Sequence, residues 1–221
     1  NYQSNEIGDY TWRLGTSYSV RPSPSLELSL RPAYRNERGT RATFSGPINR
    51  QFLATVPGGR LETFGNRYIF GFPDRTTLST QFRVSYTFKP DMTLDVYAEP
   101  FAASGRYLAY GETLVPGARD LRVYGEDGTT ITRLEGGSYA VTDGNSSFAL
   151  ANRDFNIRSF RSNVVLRWEW RPGSTLFVVW QQNRASREAQ GSHVGFGDLF
   201  ESLTASGDNI FAVKTTLWSS M

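Results

Sequence analysis

The sequence contains no cysteine, one histidine and two methionines in 221 residues. Without cysteine there is no disulfide framework and no thiolate metal centre, and a lone histidine gives no basis for a zinc site. The missing cysteine also leans towards an oxidising compartment. Long hydrophobic runs are absent too. No stretch of about 18 apolar residues occurs, which excludes a transmembrane helix, and mean hydropathy is −0.43. Neither sign of charge dominates: 24 basic residues face 21 acidic ones, so the footprint of a nucleic-acid-binding chain is missing. The first residues, Asn1-Tyr2-Gln3-Ser4, have no basic start, no apolar run and no initiator methionine, which reads as a mature product or a piece of something longer. No glycine-rich phosphate loop follows a strand and opens a helix. No cofactor and no metal are expected.

What the chain has is aromatic residues, turns and alternation. There are 11 Tyr, 15 Phe and 5 Trp, with 21 Gly and 10 Pro. Segments at 10–20, 26–35, 76–88, 92–99, 160–170, 174–183 and 209–221 alternate apolar and polar residues with a period of two. This pattern predicts seven main strands whose side chains point to opposite faces. Three short turns carry a basic residue and proline, Arg21-Pro22, Lys89-Pro90 and Arg171-Pro172. They are expected at one end of the strands. Long segments near 36–75, 105–155 and 185–208 are expected as loops at the other end, with 51–56 and 67–72 forming a hairpin beyond the regular sheet and 198–203 one helical turn. Pro32 falls inside an alternating run, which predicts an edge position or a bulge.

Five-residue and three-residue turns at 21–25, 89–91 and 171–173 keep even-numbered residues facing even-numbered residues. On that register, none of the 33 even-face residues is charged, whereas 10 of 32 on the odd face are. Half-polar strands of 11 to 13 residues, short turns at one end and long loops at the other match an outer-membrane barrel. A sandwich typically uses strands of about 5–6 residues and short turns at both ends. The fold expectation is therefore all-β: an antiparallel transmembrane β-barrel spanning 1–221, with short periplasmic turns and long extracellular loops. An odd number of strands places the two ends on opposite sides, so the chain is expected to be the C-terminal part of a larger barrel, completed by a missing N-terminal portion or by partner chains.

The run Phe160–Arg184, which contains RWEWRPGSTLFVVWQQNR, and the runs TTLSTQFRVSYTFKPDMTLDVYAEPFAASGRY (76–107) and DNIFAVKTTLW (208–218) resemble the C-terminal portion of a domain-of-unknown-function family of bacterial outer-membrane barrels. The resemblance covers roughly residues 60–218. It implies a barrel in the outer membrane of a Gram-negative bacterium, and full-length relatives that usually begin with a carbohydrate-binding-module-like domain. It implies no activity and transfers no catalytic residue.

Candidate sites follow from the two faces. The odd face carries Arg13, Glu27, Arg31, Arg35, Arg83, Asp95, Glu99, Arg161, Arg167 and Glu169. They read as lumen-facing residues, either solvated and mutually paired or guiding an anion or sugar. Val165, Phe177 and Val179 interrupt this face and suggest that something packs inside. Near the short turns, Tyr18, Tyr86, Phe88, Trp168 and Trp170 read as aromatics at the lipid interface. His193 next to Ser192 is a weak nucleophile–base pair without a third group. Asp127, Asp143 and Asn145 read as turn residues before calcium ligands, and Tyr107, Tyr110, Tyr124 and Tyr139 as packing of an ordered loop before sugar stacking. The function expected is an outer-membrane barrel anchoring or passing a partner or glycan-like ligand, with outer-membrane lipid as its surroundings. The alternatives are a soluble or surface β-sheet ligand-binding module, and a barrel enzyme acting from the loops.

Overall fold

The computed structural model describes residues 1–4, 10–38, 50–118, 120–126, 128–189, 191 and 193–218. In chain order its strands are β1 (Tyr2–Ser4), β2 (Tyr10–Gly15), β3 (Tyr18–Ser23), β4 (Leu26–Arg38), β5 (Gln51–Pro57), β6 (Asn66–Lys89), β7 (Met92–Glu112), β8 (Arg122–Val123), β9 (Thr129–Arg133), β10 (Tyr139–Asp143), β11 (Ser146–Leu150), β12 (Phe155–Arg171), β13 (Ser174–Glu188) and β14 (Gly207–Thr216). A 3-10 turn at Leu61–Thr63 and one helix, α1 (Phe196–Ser202), complete the elements. No helix among the described residues is long and apolar enough to cross a membrane.

The fold is all-β, and its strands pair antiparallel. The main sheet runs β1-β2-β4-β6-β7-β12-β13-β14, with β3, β5 and β8 joining β4, β6 and β7. Strands β2 and β3 pair with β4 in one continuous register, so they act as one strand broken in the middle. Counted that way, the meander has the seven main strands that the alternation predicts, plus the short edge strand β1. The sheet is open between β1 and β14, and no closed barrel forms among the described residues.

Pro32 explains the break. Thr16 donates its N–H to the Pro32 carbonyl at 3.2 Å, but proline has no N–H to return. Its place corrects the expected edge position. Pro32 lies inside the sheet opposite Thr80 of β6, and the missing bond is expressed as the β2–β3 gap.

The turns are tighter than expected. Ser23 pairs Leu26, Lys89 pairs Met92 and Arg171 pairs Ser174, so each loop has two residues. A two-residue loop joins residues of opposite parity. One extra residue is inserted beside each turn, between Val20 and Ser23, Thr87 and Lys89, and Glu169 and Arg171. Each such bulge restores even-to-even pairing. The face assignment therefore stands, although the turn lengths behind it are corrected.

Gly173 closes the last of these turns at φ +78, and an added Cβ would meet the Trp218 Cβ at 2.9 Å. Pro172-Gly173 is the residue pair a type II turn requires. Gly173→Ala is expected to lower stability by about 1–2 kcal/mol, the cost of a left-handed L-residue, read as a lower midpoint of thermal unfolding.

The segments expected as long loops contain much strand, chiefly in 66–75 and 105–155. β4 continues to Arg38, β6 starts at Asn66, β7 reaches Glu112 and β13 reaches Glu188. On β6 and β7 the extensions lose the period of two because both faces are covered: Arg67, Ile69, Phe72 and Tyr107 are all buried. The expected hairpin beyond the sheet is present as β5 paired with 66–71. Beside it, β9, β10 and β11 form a separate three-stranded sheet. Together with β5 and β8 they enclose a core of Ile69, Tyr107, Tyr110, Tyr124, Val141 and Leu150, flanked by Tyr139 and Phe148. We call this unit the cap. It gives the loop tyrosines the packing role rather than an open stacking surface.

Candidate functional site

The site is a pair of faces rather than a pocket. On β4 to β13 even-numbered residues share one face. On β14 the parity switches, since Trp180 pairs Phe211 and Val178 pairs Val213. The face so defined carries Leu14, Tyr18, Val20, Leu30, Phe82, Trp168, Trp180, Phe211, Val213 and Leu217, all exposed. The largest apolar patch on a typical soluble monomer covers only about 300–600 Å². Ten exposed large apolar side chains spread over every main strand except β7 make a surface of another kind.

This apolar area has edges. Moving away from the short turns, it ends at Tyr34 on β4, Leu78 on β6, Ala102 on β7, Phe160 on β12, Trp180 on β13 and Phe211 on β14. The next residues on that face are Asn36, Thr76, Ser104, Arg158, Gln182 and Asn209. In the pairing register Tyr34, Leu78, Ala102 and Arg158 are in one row, while Trp180 pairs Val164 on one side and Phe211 on the other. The edge therefore steps six residues along the strands over five strand spacings from β4 to β14. At about 3.3 Å per residue and about 4.8 Å per strand, it is oblique to the rows by about 40°. On β6 the band runs from Leu78, which α1 covers, to Phe88, about 33 Å along the strand and about 25 Å at that tilt.

At the turn end, the Tyr86 and Phe88 rings meet edge-on with centroids 4.6 Å apart, and Trp168 and Trp170 are 6.4 Å apart. Trp168 pairs Met92, next to the β6–β7 turn. The four aromatics thus form two pairs at the turn end, on either side of β7. Tyr18 is not with them. It pairs Leu30, which pairs Phe82, so it sits four residues up the sheet from the Tyr86 row. The cause is the two-residue turn, which shifts β3 by two residues from the expected pairing.

The odd face is polar. Arg31 pairs Gln81, Gln81 donates to Glu99 at 3.3 Å, and Glu99 pairs Arg161. One row beyond, the Arg83 guanidinium lies 5.0 Å from the Tyr97 ring centroid, and Tyr97 donates to Glu99 at 2.5 Å. Asp95 accepts from Ser85 at 2.8 Å. Arg31, Arg83, Asp95, Glu99 and Arg161 thus form one cluster across β4, β6, β7 and β12. Shallow depressions lie within it, one against Arg83, Asp95, Tyr97 and Asn163 and another against Glu99, Phe101, Ser159 and Arg161. Arg167 and Glu169 form a separate pair at 3.2 Å near the turn, and Arg21 pairs Glu27 at 2.5 Å. Arg13 is opposite Arg35, and Arg35 bonds Glu37.

His193 is on the other face. Its Nδ1 is 3.3 Å from Thr76 Oγ1, which also accepts from Asn36. Ser192 and Asp127 lie outside the described residues. Asp143 does more than end a turn. In the cap it takes both Arg122 guanidinium nitrogens at 2.8 and 2.9 Å and Arg67 at 2.8 Å, while Arg67 also bonds Glu112 at 2.8 Å. Arg122 beside it holds the Asp143 carboxyl below the usual carboxylate range. Burial pushes the Tyr124 hydroxyl well above its ordinary value. The sequence reading missed this network, and it missed Arg158, which breaks the uncharged face just beyond its counted end.

With this geometry in view, comparison with family models gives one match, over residues 2–218, to a domain of unknown function, DUF5916. The chain belongs to the DUF5916 family. The match covers nearly the whole chain, so the extended strands and the cap are parts of the family domain together with the alternating strands. No curated protein and no solved structure matches the chain.

Proposed function

We propose that this DUF5916 chain is the C-terminal part of an outer-membrane β-barrel that anchors or passes a partner or glycan-like ligand, and that it has no enzymatic role. The observation that carries this reading is the oblique uncharged band. An outer-membrane barrel needs an outward apolar belt about 25 Å tall on strands tilted by about 35–45°, and the band has that height and that slant. The aromatic group at its lower edge fits an interfacial girdle.

Handedness supports the even face as the outer one. Ala185 on β13 donates its N–H towards Ser206, on the β14 side. For L-residues, with the short turns pointing down and the even face towards the viewer, β14 then lies left of β13. In that view the band falls from right to left. Levelling it tips the strands up to the right, the right-handed coil that strand twist gives to a barrel seen from outside. Putting the odd face outside would require the opposite coil.

The odd face then lines a lumen in which Arg31, Arg83, Glu99 and Arg161 offer hydrogen-bond donors and acceptors to a polar ligand. The open edges at β1 and β14 are where the missing N-terminal portion or partner chains add strands. A polar lumen suits a sugar, as does the carbohydrate-binding-module-like domain expected ahead of this region.

Membrane extraction tests the reading. The protein is expected in the outer-membrane fraction, soluble only in detergent, with unheated and boiled samples migrating differently on a gel. A folded, detergent-free monomer would instead establish the soluble β-sheet binding module.

A further inference from the structure

Helix α1 presents apolar side chains on two sides, one towards the sheet and one away from it. Leu199 and Val194 are buried against Leu78 and Ala102 of the sheet, and Ser202 is fully buried. Asp198 also turns towards the sheet. Its carboxylate accepts from Arg158 Nε at 2.9 Å, and Glu201 reaches the same guanidinium at 3.1 Å. Phe196 and Phe200 point the other way, 74% and 71% exposed, with Leu203 beyond them at 40%. These three recur at i, i+4 and i+7 and so share one stripe of the helix. A helix on a protein surface in water needs one apolar stripe; α1 has a second, turned away from the sheet.

Leu78, Ala102 and Arg158 are in the row where the apolar band of the sheet ends. The helix therefore lies across the upper edge of the band, on the band's own face. Arg158 binds Glu188 at 2.8 Å as well, so three carboxylates surround this guanidinium; Arg184, one row away on the same face, donates to the Ala205 carbonyl at 3.3 Å. A charge that would be costly against lipid is covered from the helix side.

We infer that α1 is an interfacial anchor: it clamps onto the outer wall through Arg158 and lays Phe196, Phe200 and Leu203 into the acyl–headgroup boundary of the outer leaflet. The occupant of this stripe is lipid. Its continuity with the band argues for that, and so does its depth, since an interfacial helix buries its apolar face about 5–10 Å into the boundary. The inference rests on the membrane reading given above and adds to it a second, separable lipid contact.

The absence of cysteine makes single-site labelling clean. Phe200→Cys, Leu166→Cys and Gly136→Cys would each carry a nitroxide, in protein reconstituted into phosphatidylcholine–phosphatidylglycerol vesicles. Collisional accessibility would be measured to oxygen and to a water-soluble nickel chelate. Leu166 samples the middle of the band, and Gly136 is an exposed cap turn with nothing near its Cβ position. At position 200 oxygen accessibility is expected to exceed nickel accessibility, as at 166 and inverted relative to 136. A lipid signal at 166 with a water signal at 200 would overturn the anchor and leave the barrel standing. A water signal at 166 would overturn the barrel itself.

Discussion

Leu166→Arg is expected to lower folding stability in lipid by about 2–4 kcal/mol, the cost of a cation at mid-bilayer on a barrel's outer wall. Leu166 sits midway along the β12 part of the band, in the row of Leu94 and Val178. A damaged sandwich core would also destabilise, so the single value does not discriminate. The profile with depth does. Met92 is at the turn end of the same face, paired with Trp168, and Met92→Arg is expected to cost about 0–1 kcal/mol because the penalty falls towards the interface. Asn163→Arg, three residues from Leu166 but on the odd face, leaves stability within about 0.5 kcal/mol, as a surface change should. The three are compared by urea unfolding in vesicles. Equal losses at 92 and 166 would contradict a bilayer around this face.

How far the sequence carried this picture depends on whether one face or two are covered. Where one face is open, as along Thr76–Phe88, side chains alternate and the strands, their number and their faces can be read directly. Where the cap closes over the other face, residues 66–75 and 105–112 keep buried groups on both sides, the period vanishes, and strand reads as loop. Turn lengths were misread because a bulge and a two-residue loop leave the same parity as a three-residue loop without a bulge. At 21–25 the expected five-residue loop gives the right parity but the wrong pairing, and Tyr18 shifts by two residues as a result. The odd-face cluster was legible because Arg83, Asp95 and Glu99 are neighbours in any even-to-even register. The cap network was not, since Arg67, Glu112, Arg122 and Asp143 meet only through long-range pairing. Arg158 could have been found: it is the first charge met on this face of β12 beyond the uncharged run 160–170, and so marks where the apolar band stops there.

Removing Arg67 should open the cap. Its side chain is 7% exposed, and it joins Glu112 and Asp143 while lying 4.9 Å from the Phe148 ring centroid. Truncating one partner of a buried ion pair typically costs about 3–5 kcal/mol, because the opposite charge stays buried without compensation. Arg67→Ala is expected to lose that much, confined to the cap. Amide exchange should accelerate in 122–150 while β12 and β13 keep their protection, since local units open independently. Replacing both Arg67 and Glu112 by Met and Leu should recover most of the loss. It leaves net charge unchanged and keeps the two-bond Arg122–Asp143 pair. Acid gives the same opening without mutation. The Asp143 pKa is lowered by Arg122, so its contribution is full above the unfolded carboxylate value of about 3.9 and is lost as pH falls through the lower folded value. In the wild type, cap protection should therefore fall below about pH 4, ahead of the strands. Asp143→Asn should weaken the cap at neutral pH and remove its share of that acid dependence. If cap and strands lost protection together at every pH, the network would have no separate role in holding the cap.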